Sequence, residues 1–153
     1  MLDGLFLTPA VTAIEEALAS ARASDGPLVV VGNAKLAKVL AERRQPTREV
    51  IVVGLSERAA KKLTNALPDT GSISSRSCAA VVGIDVVDDD AWEDTLRAWS
   101  RCVRDGGAIV FVDKGHAEEA SRRALCAGLS EIEQRHAGRT VVTSGLVTHL
   151  KRE

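Results

Sequence analysis

Short runs of consecutive apolar residues alternate in this chain with segments whose apolar residues recur every three or four positions. Uninterrupted apolar runs of this length are typical of strands buried on both faces of a parallel sheet. The runs cover residues 28–31, 50–53, 79–84 and 108–112. Helical spacing is clearest for Trp92, Leu96, Trp99 and Val103, which we expect to face the core. The pattern therefore predicts alternating strands and helices.

Turn and capping residues mark the ends of these elements. Thr8 as cap and Pro9 in the first helical position predict the start of a first helix, which is expected to pack on the sheet within segment 1–24. Any third strand in the polar segment 71–75 is expected at an edge of the sheet. The first half of the chain is thus predicted to build strands one to three.

Two further helices have recognisable starts. Ser56 is a candidate cap for a helix over residues 57–67. Asp90, followed three residues later by Glu93, resembles a capping box for the helix that carries the tryptophans.

The chain ends in two predicted strands, roughly 129–136 and 140–150, joined by a connection short enough for an antiparallel hairpin. Strand and helix repeats followed by such a hairpin predict an α/β fold, a doubly wound, mostly parallel sheet of about seven strands. The length of 153 residues fits a single domain.

Composition excludes several classes of function. A net charge of -1 provides no field that attracts phosphate backbones or anionic lipid. Aromatic residues make up only 3% of the chain, so stacking platforms for single-stranded nucleic acid are absent. We expect no nucleic-acid partner and no membrane, and a cytoplasmic location in which Cys78, Cys102 and Cys126 are reduced, buried thiols.

The second half of the chain resembles class I S-adenosylmethionine-dependent methyltransferases. Segments 79–87 and 96–113 are similar to that family's fourth strand, following helix, Gly-Gly turn and fifth strand. Gly106 and Gly107 are expected to supply positive φ in the turn. Ala-Gly-Leu at 127–129 resembles the opening of the family's sixth strand. The resemblance implies a Rossmann-like fold in which the seventh strand lies between the fifth and sixth.

The cofactor loop of the family is only partly present in this chain. The resemblance implies an acidic residue near the end of the first strand, then any one residue, and then Gly-x-Gly-x-Gly. Here Val30 stands at the acidic position, Gly32 keeps the first glycine, and Ala34 and Leu36 replace the others. We expect these two side chains to fill space that the cofactor's amino-acid moiety needs.

Two further carboxylates that the resemblance implies are also missing. Where the family places an acid on the ribose hydroxyls, segment 54–56 reads Gly-Leu-Ser, and Glu57 is better explained as an acid at a helix start. Segment 72–76 offers no acid for the adenine amino group. Loss of the ribose contact alone is expected to weaken binding by about one to three powers of ten.

The leading hypothesis is a degenerate methyltransferase-like domain that works as a non-catalytic binding, regulatory or assembly module, with no catalytic residues and no cofactor. Its working surface is predicted at the apolar residues 2–7 or at the edge of the sheet, and its partner is another protein or a second copy in a homodimer. The alternative is a small active methyltransferase. In that case S-adenosylmethionine is expected at Gly32, Asn33, Ala34, Ser56 and Asp85.

A second alternative is an NADP-binding Rossmann protein. Gly32, Ala34 and Ala37 form a relaxed dinucleotide fingerprint, and Ser56 with Arg58 suits a 2'-phosphate. Thermal stabilisation by NADPH would support this alternative.

Other catalytic or metal sites have weaker support. Asp85 and Asp113 are expected at the carboxyl edge of the sheet, where metal-dependent O-methyltransferases place acids, but Lys114 stands where that group has asparagine. A salt bridge or a solvated rim is therefore expected rather than a metal. Among the histidines His116 is the best candidate for a general base, but a histidine in a surface loop is the favoured interpretation.

Overall fold

Helices and strands alternate along the chain as the sequence predicts. The computed structural model describes residues 4–21, 26–43, 49–61 and 66–149. The helices of this part are α1 (Gly4–Ala19), α2 (Ala34–Arg43), α3 (Glu57–Ala60), α4 (Trp92–Cys102) and α5 (Ala117–Cys126). The strands are β1 (Leu28–Val31), β2 (Val50–Val53), β3 (Ala66–Leu67), β4 (Cys78–Ile84), β5 (Val103–Lys114), β6 (Ser130–Ala137) and β7 (Thr140–Leu146).

The strands form one sheet in the order β3-β2-β1-β4-β5-β7-β6. The pairs from β3 to β5 are parallel, whereas β7 is antiparallel to both β5 and β6. The terminal hairpin therefore inserts β7 between β5 and β6. This confirms the doubly wound, mostly parallel sheet with an antiparallel C-terminal pair.

Two apolar layers sandwich the sheet, because consecutive residues of a buried strand face opposite sides. Val30 and Val82 lie in the layer beneath α1 and α2. Val29 and Val81 lie in the opposite layer, beneath α4 and α5. Helix α1 packs against β5, β6, β7 and α2, so the first helix closes the end of the sheet that carries the hairpin.

Two glycines permit close packing in the second layer. Trp99 is 5% exposed, and a Cβ on Gly83 would lie 2.1 Å from Trp99 Cη2. A Cβ on Gly107 would lie 2.5 Å from the carbonyl oxygen of Ala79. Only Gly106 of the Gly-Gly turn has a positive φ, +83°. The expectation of positive φ is thus right for Gly106, whereas Gly107 is required by a close backbone approach.

Several predicted boundaries are wrong. Helix α1 begins at Gly4 rather than at Thr8, since packing of α1 on the sheet outweighs the single hydrogen bond that Pro9 is unable to make. Of the predicted helix over 57–67, Glu57–Ala60 is helical and residues 62–65 lie outside the described part of the chain. Its last two positions, Ala66–Leu67, form β3, which was expected in the segment 71–75. A strand of two residues leaves no periodic signal in the sequence.

The tryptophans and cysteines only partly follow the prediction. Trp99 is buried, whereas Trp92 is half-buried beneath the guanidinium groups of Arg122 and Arg123. Cys78 and Cys102 are buried free thiols, but Cys126 is exposed at the end of α5. No helix in the described part of the chain is long and apolar enough to cross a membrane.

Candidate functional site

The carboxyl ends of β3, β2, β1, β4 and β5 form one edge of the sheet. The strand order reverses between β1 and β4, and open α/β sheets bind ligands in the crevice at such a reversal. Gly32, Ser56 and Asp85 lie just beyond the ends of β1, β2 and β4. The fold therefore brings these sequence-predicted site residues to the same edge.

The loop after β1 is organised as a helix start. Gly32 has φ +74° and donates its N–H to the carbonyl oxygen of Val53 at 2.8 Å. The Asn33 side-chain oxygen accepts the N–H of Leu36 at 2.8 Å and so caps α2, which begins at Ala34. The alternative in which Asn33 contacts a ligand is weakened, because its acceptor oxygen already serves the helix.

Leu36 does not fill the space above this loop. Its side chain is completely buried in the layer beneath α1 and α2. Apart from Gly32 and its two chain neighbours, no described residue has an atom within 4 Å of the position that a Cβ on Gly32 would take. The expectation that Leu36 obstructs the cofactor space is therefore wrong, because α2 turns this side chain into the core. Val30 is also completely buried, so the missing first acid is replaced by core packing.

The end of β2 carries no carboxylate in segment 54–56. Gly54 has φ +75° and would place a Cβ 3.7 Å from the backbone nitrogen of Gly32, so the two loops meet. Ser56 is exposed, and its carbonyl oxygen accepts the N–H of Ala60 at 2.9 Å. The side chain of Glu57 lies outside the described part of the chain. The end of β2 presents a hydroxyl where the family has a carboxylate.

Asp69 was missed by the sequence analysis. Because β3 ends at Leu67, the residues that reach the carboxyl edge are Pro68 and Asp69 rather than segment 72–76. The Pro68 carbonyl accepts the N–H of Gly54 at 3.1 Å, which joins this end to the end of β2. Asp69 is exposed. The turn-forming sequence Pro-Asp-Thr-Gly at 68–71 is the signal that locates the end of the strand.

The residues at this edge therefore fit an adenosyl cofactor incompletely. Room is present above Gly32, and Asp69 supplies an acid after β3. The acids expected at position 30 in β1 and after β2 are absent. This edge therefore differs from an adenosyl-binding site because charged hydrogen-bond acceptors are missing, and not because side chains obstruct the space.

Carboxylates are concentrated instead at the ends of β4 and β5. Asp85 has φ 57° and donates its N–H to the carbonyl oxygen of Val112 at 2.8 Å. Asp113 is only 3% exposed, and its Oδ1 accepts the N–H of Val87 at 2.9 Å. Burial raises the pKa of Asp113, and Asp85 and Asp88 raise it further, while the Val87 bond and Arg123 act in the opposite direction. The expectation of a salt bridge or a solvated rim is wrong for Asp113, because β5 continues to Lys114 and encloses it.

Arg123 braces the turn that follows β4. Its Nη1 donates to the carbonyl oxygens of Val86 at 2.6 Å and Asp89 at 3.3 Å. Its Nε donates to Glu119 Oε2 at 2.7 Å, and its guanidinium lies 5.1 Å from the ring centre of Trp92. Hydrogen bonds from Arg122 and Arg123 lower the pKa of Glu119 to about 2. Helix α5 thereby fixes the turn between β4 and α4.

The predicted capping box of Asp90 and Glu93 is wrong. The residue before α4 is Ala91, and no described side chain caps the first turn of that helix. Asp89 instead holds the preceding turn on the helix: its Oδ1 accepts the N–H of Ala91 at 2.8 Å, and its Oδ2 accepts the hydroxyl of Thr95 at 2.7 Å.

Histidines form no catalytic arrangement among the described residues. His116 is exposed and precedes α5 with φ 57°. His149 Nε2 lies 2.7 Å from the carbonyl oxygen of Val103, at the opposite end of β5 from Asp113. Across residues 4–21, 26–43, 49–61 and 66–149, no group of three or more His, Cys, Asp or Glu side chains is arranged to hold a metal ion.

Several solved methyltransferase structures share this fold. The 1,6-didemethyltoxoflavin-N1-methyltransferase of Burkholderia thailandensis, with 1,6-didemethyltoxoflavin and S-adenosylhomocysteine bound, has a TM-score of 0.74 at 12% identity, with 96% of this chain and 80% of that chain covered. A possible histamine N-methyltransferase from Thermotoga maritima has a TM-score of 0.69 at 15% identity, with 93% and 89% covered.

Two further structures extend the comparison. A complex between the Haloferax volcanii Trm112 methyltransferase activator and the putative methyltransferase gives a TM-score of 0.71 at 14% identity, with 92% of this chain and 90% of that chain covered. The CurJ carbon methyltransferase gives a TM-score of 0.71 at 10% identity, and this chain spans 55% of its length. No protein-family model matches the sequence, and no curated protein matches it significantly. The likeness shows the Rossmann-like class I methyltransferase fold.

Proposed function

We propose that this chain is a methyltransferase-like binding domain that does not transfer methyl groups. The observation that carries the proposal is the absence of the carboxylates that the resemblance implies within β1, at Val30, and after β2, in a chain that otherwise keeps the methyltransferase fold. Val30 is packed in the core, and Ser56 stands where the resemblance implies the ribose acid. The domain therefore retains the fold but lacks the carboxylates that would bind the cofactor.

The size of the missing interactions supports this proposal. Each charge-assisted hydrogen bond to a ligand hydroxyl contributes roughly 1.5 to 3 kcal/mol. The loss of one ribose carboxylate is therefore worth about one to three powers of ten in affinity. The Asn33 oxygen provides no compensation, since it accepts the N–H of Leu36 within the same chain.

We infer that the partner of this module is another protein. The fold of a putative methyltransferase in complex with the Trm112 activator is compatible with a role in an assembly. Pairing of two copies through the outer strand β6 is disfavoured, because Glu133 and His136 are exposed on it and the register is irregular near Glu131. The apolar residues 2–7 remain a proposed surface, although their side chains lie outside the described part of the chain.

The alternative of an active methyltransferase is favoured by one observation. Asp69 lies where an acid for the adenine amino group is expected, and the space above Gly32 is open among the described atoms. Under this alternative, Asp69 and the backbone of the β1 loop would hold the adenosyl group without a ribose acid.

Calorimetric titration with S-adenosylmethionine separates the two functions. The proposal predicts no binding in the low-micromolar range, whereas a low-micromolar dissociation constant would contradict it and support the alternative. A thermal-shift panel of S-adenosylmethionine, S-adenosylhomocysteine and NADPH adds the dinucleotide alternative, since any ligand that binds only the folded state raises the apparent stability.

Light scattering of the purified chain tests the partner proposal. A monomer at micromolar concentration is expected. A stable dimer would instead support the homodimer that the sequence analysis left open, and the outer strand or residues 2–7 would then be examined as its interface.

A further inference from the structure

A cavity of about 230 Å³ lies between the helices α4 and α5. Pockets for drug-sized molecules are larger, about 300 to 1,000 Å³, so this space suits a small ligand or one part of a peptide-sized ligand. The described residues that line it come from both helices and from the position directly after α5: Trp92, Glu93, Arg97, Ser100, Cys126 and Ala127.

Cys126 brings an exposed thiol to this cavity. The other two cysteines of the chain, Cys78 and Cys102, are buried, and burial raises the pKa of both thiols. A buried thiol in apolar surroundings is a poor nucleophile. Cys126 is therefore the sulfur that a reagent in solvent reaches first.

Arg122 lies beside the Cys126 thiol. Its Nη1 is 4.0 Å from Cys126 Sγ, and its guanidinium is 5.6 Å from the ring centre of Trp92. Two hydrogen bonds to Glu119, at 2.9 Å and 2.6 Å, hold the guanidinium in this position. Hydrogen bonding to Glu119 also raises the pKa of Arg122, so the positive charge is permanent. An anionic group on a ligand is therefore attracted toward the sulfur.

The α4 side of the cavity contains a polar group without a partner. Ser100 Oγ is buried and makes no hydrogen bond with any described residue. Buried hydroxyl groups are normally hydrogen-bonded, so a polar group that enters the cavity would supply the missing partner. Glu93 is exposed on the same side and offers a carboxylate to an ammonium group. The cavity therefore combines a reactive sulfur with polar groups of both charges.

We propose that Cys126 forms a mixed disulfide with a small peptide thiol of the glutathione class, which carries carboxylates for Arg122 and an ammonium group for Glu93. In the exchange, the Cys126 thiol gives its proton to solvent, and its sulfur attacks one sulfur of the symmetrical peptide disulfide. The new S–S bond forms as the old one breaks, and the second peptide leaves as a thiolate that takes up a proton. The incoming disulfide is itself the oxidant.

This site is separate from the one considered for the adenosyl ligand. None of the described residues that line the cavity belongs to the loops after β1 and β2. The inference therefore holds whether or not an adenosyl ligand binds there.

Intact-mass measurement of the full chain incubated with glutathione disulfide tests the proposal. We expect one adduct that dithiothreitol removes, located on Cys126 by peptide mapping, with Cys78 and Cys102 unmodified. The rate should saturate with disulfide concentration, because binding in the cavity precedes exchange. S-methylglutathione, which is unable to form a disulfide, should slow the reaction by competition. Cystamine, a disulfide without carboxylates, should react without saturation over the same range.

Matched variants separate recognition by the cavity from simple exposure of the thiol. Arg122→Ala is expected to lower the rate with glutathione disulfide about tenfold, and the rate with cystamine should not fall. Arg139→Ala, at an exposed arginine between β6 and β7, is the control and should change neither rate. Ser100→Ala should raise the concentration needed for saturation and leave the cystamine rate unchanged.

Four results would overturn the proposal. They are an unmodified Cys126 in the folded chain, a rate that rises linearly with glutathione disulfide, equal behaviour of Arg122→Ala and Arg139→Ala, and a dimer linked through Cys126 as the main product.

Discussion

The carboxyl edge of the sheet has two halves, one around β1 and β2 and the other around β4 and β5. Both pack on the same apolar layers, but they differ in the acidic residues that they carry. Around β1 and β2 the edge consists of glycine, a capping asparagine and a serine, with no acid in segments 32–34 and 54–56. Around β4 and β5 it contains Asp85, Asp88 and the buried Asp113. Both halves rest on the same two apolar layers. The comparison indicates that packing maintains the fold, while the charged groups at its edge change independently.

The half around β4 and β5 is also held by more side-chain contacts from the helices. Arg123 ties α5 to the turn after β4, and Trp99 packs directly on Gly83. The β1 half depends on the Gly32 N–H bond to Val53 and on the cap supplied by Asn33. Substitutions that remove contacts around β4 and β5 should therefore lower the free energy of unfolding the most.

Gly83→Ala is expected to have the largest effect. The added Cβ would lie 2.1 Å from Trp99 Cη2, so the ring must move within a packed layer. We expect a loss of about 3 kcal/mol in the free energy of unfolding, measured by urea denaturation.

A second substitution serves as control for this prediction. Gly83→Ala combined with Trp99→Leu removes the clashing ring, and the additional cost of the alanine should then nearly vanish. An unchanged urea midpoint in Gly83→Ala alone would contradict the packing described for β4.

Arg123→Ala tests the brace between α5 and the β4 turn. The side chain is 14% exposed, and its removal leaves the Val86 carbonyl without a charged donor. We expect a loss of about 2 kcal/mol in unfolding free energy. Arg122→Ala is the matched control, because Arg122 shares Glu119 but is 55% exposed. Because exposed ion pairs contribute little, Arg122→Ala is expected to lower the unfolding free energy much less than Arg123→Ala. Equal effects of the two variants would show that Arg123 is an ordinary surface arginine.

Asp113→Asn tests the buried acid through the pH dependence of stability. Burial raises the pKa of Asp113 in the folded state, so the protonated form stabilises the native protein at low pH. That stability is lost as the pH rises through the folded pKa. The variant should therefore gain on the wild type, by on the order of 1 kcal/mol at neutral pH.

Urea denaturation from about pH 3.5 to about pH 8 begins near the ordinary pKa of an aspartate and extends well above it. The two curves should converge at the acidic end and separate as the pH rises. A variant that loses stability relative to the wild type at neutral pH would indicate that the ionised carboxylate is compensated by a cation in the folded protein.

The sheet was predictable because strands that are buried on both faces require uninterrupted apolar runs in the sequence. β1, β2 and the centre of β5 follow such runs, and the short connection after Ala137 indicates the hairpin. The resemblance to methyltransferases rests on the segments around β4 and β5, which is also the better-packed half. Sequence patterns report apolar burial well, since that burial dominates the stability of a sheet.

The candidate site was less predictable, since it depends on where individual elements end. Asp69 was missed because a two-residue strand gives no periodic pattern. The burial of Asp113 was missed because an aspartate beside Lys114 resembles a solvated strand end. Leu36 was expected in the ligand space, although the helix that Asn33 caps directs it into the core. The errors at Asp113 and Leu36 concern the direction of one side chain, whereas the error at Asp69 concerns the position of a short strand.

The half of the edge around β1 and β2 has space for an adenosyl ligand but lacks the carboxylates that would bind it. Ser56→Asp restores a carboxylate at the end of β2 and keeps a residue that is acceptable at a helix start. Calorimetry with S-adenosylhomocysteine should show at least about tenfold tighter binding than the wild type, whereas Ser56→Asn, of similar size and without charge, should show no such gain. Unchanged affinity in Ser56→Asp, or low-micromolar binding by the wild type, would contradict the account.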